Sequence, residues 1–333
     1  MSNRGVVVVG ASEGGLEPIR ALTAGLGADT PATIFVVQHM APNAGGLLRD
    51  ALAPVTKMRV ELATDGGRFE RGVVYVAAPD RHLVIDGEHM RLPRGPRENS
   101  SRPAIDPLFR SAAVSHATSV IGVLLSGNLH DGSAGLDAVH RCGGITIVQD
   151  PDEARVPEMP ASALAFTEIH HRIEMHELAT LVRRLVSEPA PPRPPVPDDL
   201  ATEVRLAGRP VSSEELDSLG RPVPTGCPDC GGPVWQPNGG TPRYRCAVGH
   251  AFGPDAMDIA QCREIDRALW VAIRSLRDRA AVCRKLAEQS RSRPNGSITT
   301  MWQAQADESE RDARLLLALA SHSLNTNDAD ELG

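Results

Sequence analysis

Residues 6 to 15 read Val6-Val7-Val8-Val9-Gly10-Ala11-Ser12-Glu13-Gly14-Gly15, and the fold turns on them. Four successive β-branched residues read as a strand buried on both faces, as in parallel sheets. Gly10 ends the run, and Gly14 and Gly15 allow a sharp turn. Leu16, Ile19, Ala21 and Leu22 then carry an apolar stripe at helical spacing, so a helix is expected over 16–26. Ser12 therefore falls in a strand-turn-helix bend, at the carboxyl end of a core strand. A hydroxyl held there faces a cleft, and the N–H groups beside it can bind an anion. Gly-Ala-Ser alone is equally compatible with a turn that caps a helix. The stretch is not GxGxxG, and it lacks the lysine of a P-loop.

Outward from this stretch, apolar runs alternate with helical patterns. A strand is expected over 33–37, ending at Gln38-His39-Met40, with a helix near 46–52. Short strands over 59–63 and 72–77 precede a hairpin, 82–85 with 90–92, turned by Asp86-Gly87. A helix over 105–116 leads to a strand over 119–125, then a helix over 134–141 and a strand over 145–149. This order predicts an α/β fold, a doubly wound, mostly parallel sheet with an antiparallel hairpin insertion.

Open sheets of this kind place their sites at the carboxyl ends of the strands. Strand one ends at Ser12 and strand two at His39. The strand over 119–125 runs into Ser126-Gly127-Asn128-Leu129-His130-Asp131-Gly132. Serine, histidine and aspartate on one rim are the parts of an acyl-transfer site, needing no cofactor. Ser12 would attack a carbonyl, His39 would carry the proton, and Asp131 would hold the imidazole. N–H groups at the helix start would stabilise the oxyanion. Taken singly, His39 can be a strand end, and Asp131 before Gly132 an ordinary turn former.

The chain has 333 residues, a formal net charge of −7 and six cysteines. No long basic run argues for nucleic acid. No apolar run reaches membrane-spanning length, and no signal peptide precedes the first strand, so a cytoplasmic protein without membrane insertion is expected. The expected parts are a catalytic domain over 1–187, a linker over 188–225 and a C-terminal module over 226–333. Proline-rich 189–197 reads as a stiff spacer.

In the last part, Cys227-Pro-Asp-Cys230 is followed by Cys246-Ala-Val-Gly-His250. Three thiols and an imidazole at these spacings suit a structural tetrahedral Zn²⁺ with no open position. Two helices follow. Ile265, Leu269, Ile273, Leu276, Ala280, Cys283 and Leu286 mark the first, and Pro294-Asn295-Gly296 breaks it. Trp302, Ala306, Ala313, Leu316 and Ala320 mark the second. Such a hairpin can pack on itself, form a homodimer or bind partner helices.

Six separated motifs carry a resemblance. They are Val-Gly-Ala-Ser-Glu-Gly-Gly (9–15), Val-Val-Gln-His-Met (36–40), and Val-Tyr-Val-Ala-Ala-Pro-Asp-Arg-His-Leu (74–83). Next come Ser-Arg-Pro-Ala-Ile-Asp-Pro-Leu-Phe-Arg-Ser (101–111) and Leu-Leu-Ser-Gly-Asn-Leu-His-Asp-Gly-Ser-Ala-Gly-Leu (124–136). The last is Gly-Gly-Ile-Thr-Ile-Val-Gln-Asp with Glu-Met-Pro (143–150, 158–160). In this order they resemble the catalytic domain of chemotaxis protein-glutamate methylesterases, over about residues 5–187. The resemblance implies hydrolysis of glutamate γ-methyl esters on receptor signalling helices, releasing methanol, and glutamine deamidation at such sites. It implies Ser12 as nucleophile, His39 as base and Asp131 as orienting acid, with Glu13, Gly14, Asn128 and Arg102 beside the oxyanion or substrate. The chain departs from the family at Glu13, where threonine is usual, and at 126–129, where Thr-Gly-Met-Gly is common. The phosphorylated receiver domain that usually precedes this one is not expected here. A contrasting reading is a non-catalytic adaptor that binds partners through the fold and its tail.

Overall fold

Val6 and Val8 pack on one side of their strand and Val7 and Val9 on the other, and all four are buried. That is the demand a two-faced core strand makes. In the computed structural model, which describes residues 4–207, 211–291 and 296–330, this strand is β1 (Val6–Ala11). The next are β2 (Thr33–Gln38), β3 (Arg59–Leu62), β4 (Val73–Val76), β5 (Val84–Asp86) and β6 (His89–Arg91). After them come β7 (Val120–Leu124), β8 (Ile145–Gln149) and β9 (His171–Ile173). Seven form one sheet in the order β3-β4-β2-β1-β7-β8-β9, every pairing parallel, while β5 and β6 form a separate antiparallel hairpin. The expected α/β architecture with its hairpin insertion is what the chain adopts.

Helices cover both faces. The side of Val7 and Val9 packs on α1 (Leu16–Gly25), α2 (Leu47–Leu52) and, beyond β9, α6 (Met175–Ser187). The side of Val6 and Val8 packs on α3 (Ile105–His116), α4 (Ser133–Arg141) and α5 (Glu158–Phe166). From β1 the chain first builds outward through β2, then returns to place β7 on the other flank of β1. The direction of winding reverses there, so a crevice opens at the carboxyl ends of β1 and β7. Gly10 brings α3 close to that crevice. A Cβ at residue 10 would sit 2.3 Å from Ile105 Cγ2, so only glycine lets the start of α3 press on β1.

Of residues 188–225, expected as a spacer, the described ones, 188–207 and 211–225, include helices and contacts to the first part of the chain. Thr118 Oγ1 donates to the Pro191 carbonyl at 2.9 Å, and Arg193 Nη1 donates to the Ser115 carbonyl at 3.2 Å. Then α7 (Asp198–Leu206) buries Leu200 and Glu203, and α8 (Ser213–Leu219) starts at a Ser212–Glu215 capping box. Four antiparallel strands follow in sheet order: β10 (Gly220–Gly226), β11 (Pro233–Pro237), β12 (Tyr244–Cys246) and β13 (Ala251–Phe252). Buried ion pairs draw this ribbon in. Arg110 of α3 meets Glu98 at 3.0 Å and Glu203 at 3.3 Å. Arg243 also binds Glu203, at 2.5 Å, and Arg245 lies 3.5 Å from Glu98. The chain therefore divides into compact units Met1–Met257 and Asp258–Gly333, not at the proline-rich stretch.

Helix α9 (Pro254–Ser290) starts in the first unit, and α10 (Gly296–Asp330) lies in the second. Within the second unit, small side chains form the seam: Ala280, Cys283 and Ala287 of α9 and Ala306, Ala313 and Ala320 of α10 are buried. Arg284 and Glu310 close it at 2.7 Å. Ile265, expected on the packed stripe, is 60% exposed. Of the expected break at 294–296, Pro294 and Asn295 lie outside the described residues. Among the described residues, no helix is long and apolar enough to cross a membrane.

Candidate active site and metal cluster

The parallel register sets Ala11 beside Gln38 and Gly10 beside Leu124. Ser12, His39 and the loop after β7 thus emerge side by side from neighbouring strands. Backbone bonds fix the exits: His39 N–H donates to the Ala11 carbonyl at 3.0 Å, and Ser12 N–H to the Ser126 carbonyl at 2.9 Å. The Gln38 side-chain amide donates to the Ser12 carbonyl. At this rim His39 Nδ1 lies 3.1 Å from Ser12 Oγ, and His39 Nε2 lies 2.7 Å from Asp131 Oδ2. A carboxylate only accepts, so Nε2 carries the proton of the neutral ring and Nδ1 turns its lone pair to the hydroxyl.

Asp131 is 2% exposed. Its Oδ2 also accepts the Ile105 N–H at 2.6 Å, and its Oδ1 accepts the Asp106 N–H at 3.2 Å and Asn99 Nδ2 at 2.9 Å. Burial alone would raise its pKa. The bond and charge of His39, with the donors at the start of α3 and Asn99, outweigh burial and hold it below the usual carboxylate range. Asp106 behaves oppositely. Burial first, and then the charge of Asp131, push it up to about 8. The two buried carboxyls are thus pushed in opposite directions, Asp131 down and Asp106 up. Asp106 Oδ1 accepts the Gly132 and Gly135 N–H groups at 3.0 and 2.7 Å, which ties the start of α4 to α3.

The floor of the crevice needs absent side chains. A Cβ on Gly127 would lie 2.6 Å from both Ser12 Cβ and Met159 Cε. Gly14 has φ +74°, and a Cβ there would meet Ser126 Oγ at 2.6 Å. Ser126 Oγ donates to the Glu13 carbonyl at 2.9 Å and accepts the Val156 N–H at 3.0 Å, bracing the turn. The backbone N–H groups of Glu13, Gly14 and Asn128 have no hydrogen-bond partner among the described residues.

The remaining expected residues divide. Glu13 is exposed, and its carboxylate accepts the Asn128 side-chain amide at 2.9 Å, so the two close over the rim together. Arg102 is committed elsewhere: Nε donates to Asp80 at 2.9 Å and Nη1 to the Gly95 carbonyl at 2.8 Å. No hydrogen bond joins it to the Ser12–His39–Asp131 chain. Sequence reasoning missed Asn99, Asp106, Gln38 and Ser126. Asp106 alone had a local signal, an acid at a helix start.

Away from this rim, Cys227, Cys230, Cys246 and His250 gather so that their ligand atoms all lie within 4.8 Å of one another. Cys230 Sγ and Cys246 Sγ are 3.8 Å apart; His250 Nδ1 is 3.7 Å from Cys227 Sγ and 3.5 Å from Cys246 Sγ. Zinc–thiolate bonds of about 2.3 Å in a tetrahedron separate ligand atoms by about 3.8 Å. The donor set and its spacing fit such an ion.

Comparison with known proteins bears on the first of these sites. The family model of CheB methylesterases matches residues 7–182. A Leptospira interrogans protein named putative protein-glutamate methylesterase/protein-glutamine glutaminase is 32% identical over 184 residues, 55% of this chain and 95% of that one. A Yersinia pestis protein-glutamate methylesterase/protein-glutamine glutaminase is 34% identical over 183 residues, and the chain spans only 52% of its length. The Thermotoga maritima CheB methylesterase catalytic domain superposes with a TM-score of 0.54 at 29% identity, covering 56% of this chain and all of that one. With its rim residues on the switch point of a parallel sheet, this chain belongs to the CheB methylesterase family.

Proposed function

We propose that the protein hydrolyses glutamate γ-methyl esters on the signalling helices of methyl-accepting receptors, and deamidates glutamine at such sites. The single observation that carries this reading is the hydrogen-bonded chain from Ser12 through His39 to Asp131, at 3.1 and 2.7 Å, in a member of this family. Ser12 Oγ attacks the ester carbonyl while His39 Nδ1 takes the hydroxyl proton. Asp131 stabilises the imidazolium that forms. The N–H groups of Glu13, Gly14 and Asn128, which have no partner among the described residues, are the donors this reading assigns to the developing oxyanion. His39 returns the proton to the leaving oxygen, and methanol departs, or ammonia from glutamine. Water, deprotonated by the same nitrogen, then cleaves the acyl-serine and restores Ser12. Arg102, bonded to Asp80 and to the Gly95 carbonyl, is given no step in this chemistry. Zn²⁺ in the Cys227–Cys230–Cys246–His250 cluster holds the ribbon together, because protein ligands fill all four positions.

The test is methanol release from a methylated receptor signalling fragment by wild type and Ser12→Ala. Loss of the nucleophile lowers kcat by roughly four to six orders of magnitude. Equal rates overturn the esterase and leave the adaptor reading.

A further inference from the structure

Asn99 lies in a loop with no periodic pattern, yet it is 7% exposed and both its side-chain polar atoms are bonded. Its Nδ2 donates to Asp131 Oδ1 at 2.9 Å and to Asp106 Oδ2 at 2.8 Å. Its Oδ1 accepts the Gly253 N–H at 2.7 Å, and its own N–H donates to the Ala251 carbonyl at 2.8 Å. Ala251 and Gly253 flank Phe252 in and after β13, which begins one residue beyond His250 of the metal cluster. Asn99 and Ser100 both hold positive φ, 49° and 61°. Asparagine tolerates this region better than most residues, but two in succession persist only when their surroundings force them.

Three further contacts hold the same place. Glu98 bridges Ala251 in parallel, Arg245 of β12 lies 3.5 Å from Glu98, and Asp255 at the start of α9 pairs with His130, the neighbour of Asp131. The ribbon thus reaches Asp131 through Asn99, and the start of α9 reaches its neighbour His130.

We propose that Asn99 is a positioning residue for the esterase, and that the metal ribbon sets it: β13 clamps Asn99, and Asn99 fixes the Asp131 carboxylate against His39. This rests on the esterase reading above. The two donated bonds do what no apolar residue can. They span the gap between the carboxyls of Asp106 and Asp131, so that Oδ2 of Asp131 stays turned to His39 Nε2. The strands of the ribbon are short, and a bound ion would add its binding energy to the buried ion pairs and apolar contacts that order β13.

The test uses the full chain with three readouts: zinc per chain, kinetics on the methylated signalling fragment, and the far-downfield proton resonance of the His39–Asp131 bond. In Asn99→Ala the zinc content stays at wild-type level, the resonance moves or vanishes, and kcat falls about tenfold with KM little changed. Asn99→Asp, which keeps the acceptor for Gly253 but faces both acids with a third carboxyl, loses at least as much. Chelating the metal from wild type moves the same resonance and lowers kcat. Chelation adds little in Asn99→Ala, because both changes remove one clamp. An unmoved resonance with kcat within about twofold, in Asn99→Ala or in the chelated wild type, overturns the proposal. The resonance needs no substrate, so a failure of the esterase reading shows in the Ser12→Ala comparison and leaves this result separate.

Discussion

The rim and the ribbon are two ways of assembling a site. At the rim, Ser12, His39 and Asp131 come from three strand ends, and neighbours in space are 27 and 92 residues apart in the chain. The parallel register of β1, β2 and β7 brings them together, so the site inherits the rigidity of a buried sheet. In the ribbon, Cys227 to His250 come from two short knuckles and the strands between them, with only a few buried apolar side chains such as Val234 and Trp235 nearby. The first site is held by packing and would keep its shape with its chemistry deleted. The second gathers four groups that could hold a metal ion, and its shape would lean on that ion as well as on buried ion pairs.

The sharpest way to separate the two is Asp131→Asn. The amide donor now faces His39 Nε2, the ring adopts the other tautomer, and Nδ1 presents a proton to Ser12. Esterase kcat is expected to fall by about four orders of magnitude. Thermal unfolding should change far less than kcat: the amide oxygen still accepts from Asp106 and Asn99, and only the Ile105 N–H, which shared Oδ2 with His39, loses its acceptor. A large loss of stability instead would mean that the rim, too, depends on its chemistry for shape.

The next variant probes the join. Glu203 is 1% exposed between Arg110 and Arg243. Burial pushes its carboxyl up, but the charges of Arg110 and Arg243 outweigh this and hold it at about 2, below the ordinary 4.5. Its contribution is complete above the ordinary value and is lost as pH falls from 4.5 towards 2, because the unfolded chain takes the proton first. Glu203→Gln should cost about 3–5 kcal/mol at neutral pH by leaving two arginines short of a buried partner. Denaturant titrations should show wild type losing more stability than the variant across that acid window. Equal slopes would mean that the ribbon is held by other contacts.

The smallest change is Gly127→Ala. Its methyl would crowd Ser12 Cβ and Met159 Cε, each 2.6 Å from the new atom. A shift of Ser12 by a fraction of an ångström should lower kcat about tenfold or more, with the fold intact. Unchanged kcat would show that the rim gives way more easily than its packing implies.

The two sites were legible for different reasons. Val6–Val9 followed by glycines announced β1, and strand ends announced where Ser12, His39 and Asp131 would meet. The cysteine spacing announced the cluster by itself. What sequence could not disclose were relations between distant segments of irregular or charged character. Asn99 and Gly253 are 154 residues apart, in stretches with no period to read. Arg110, Arg243 and Arg245 carry no local pattern that marks them as interior, yet they are buried with Glu98 and Glu203. The ring nitrogen that faces Ser12 is likewise fixed by where Asp131 lies, not by any local pattern.

The order of the parallel sheet leaves β3 and β9 as its outer strands. Each exposes a row of unpaired amides, the usual template for runaway association. Here the margins are short and guarded. β9 has three residues and presents His171 and Arg172, and β3 has four, with Arg59 bridging Glu61 and Glu70 at 2.8 and 2.6 Å. An incoming strand would have to strip these charges of water to gain a handful of bonds. The consequence is colloidal: short, charged borders oppose lateral growth of the sheet on either side.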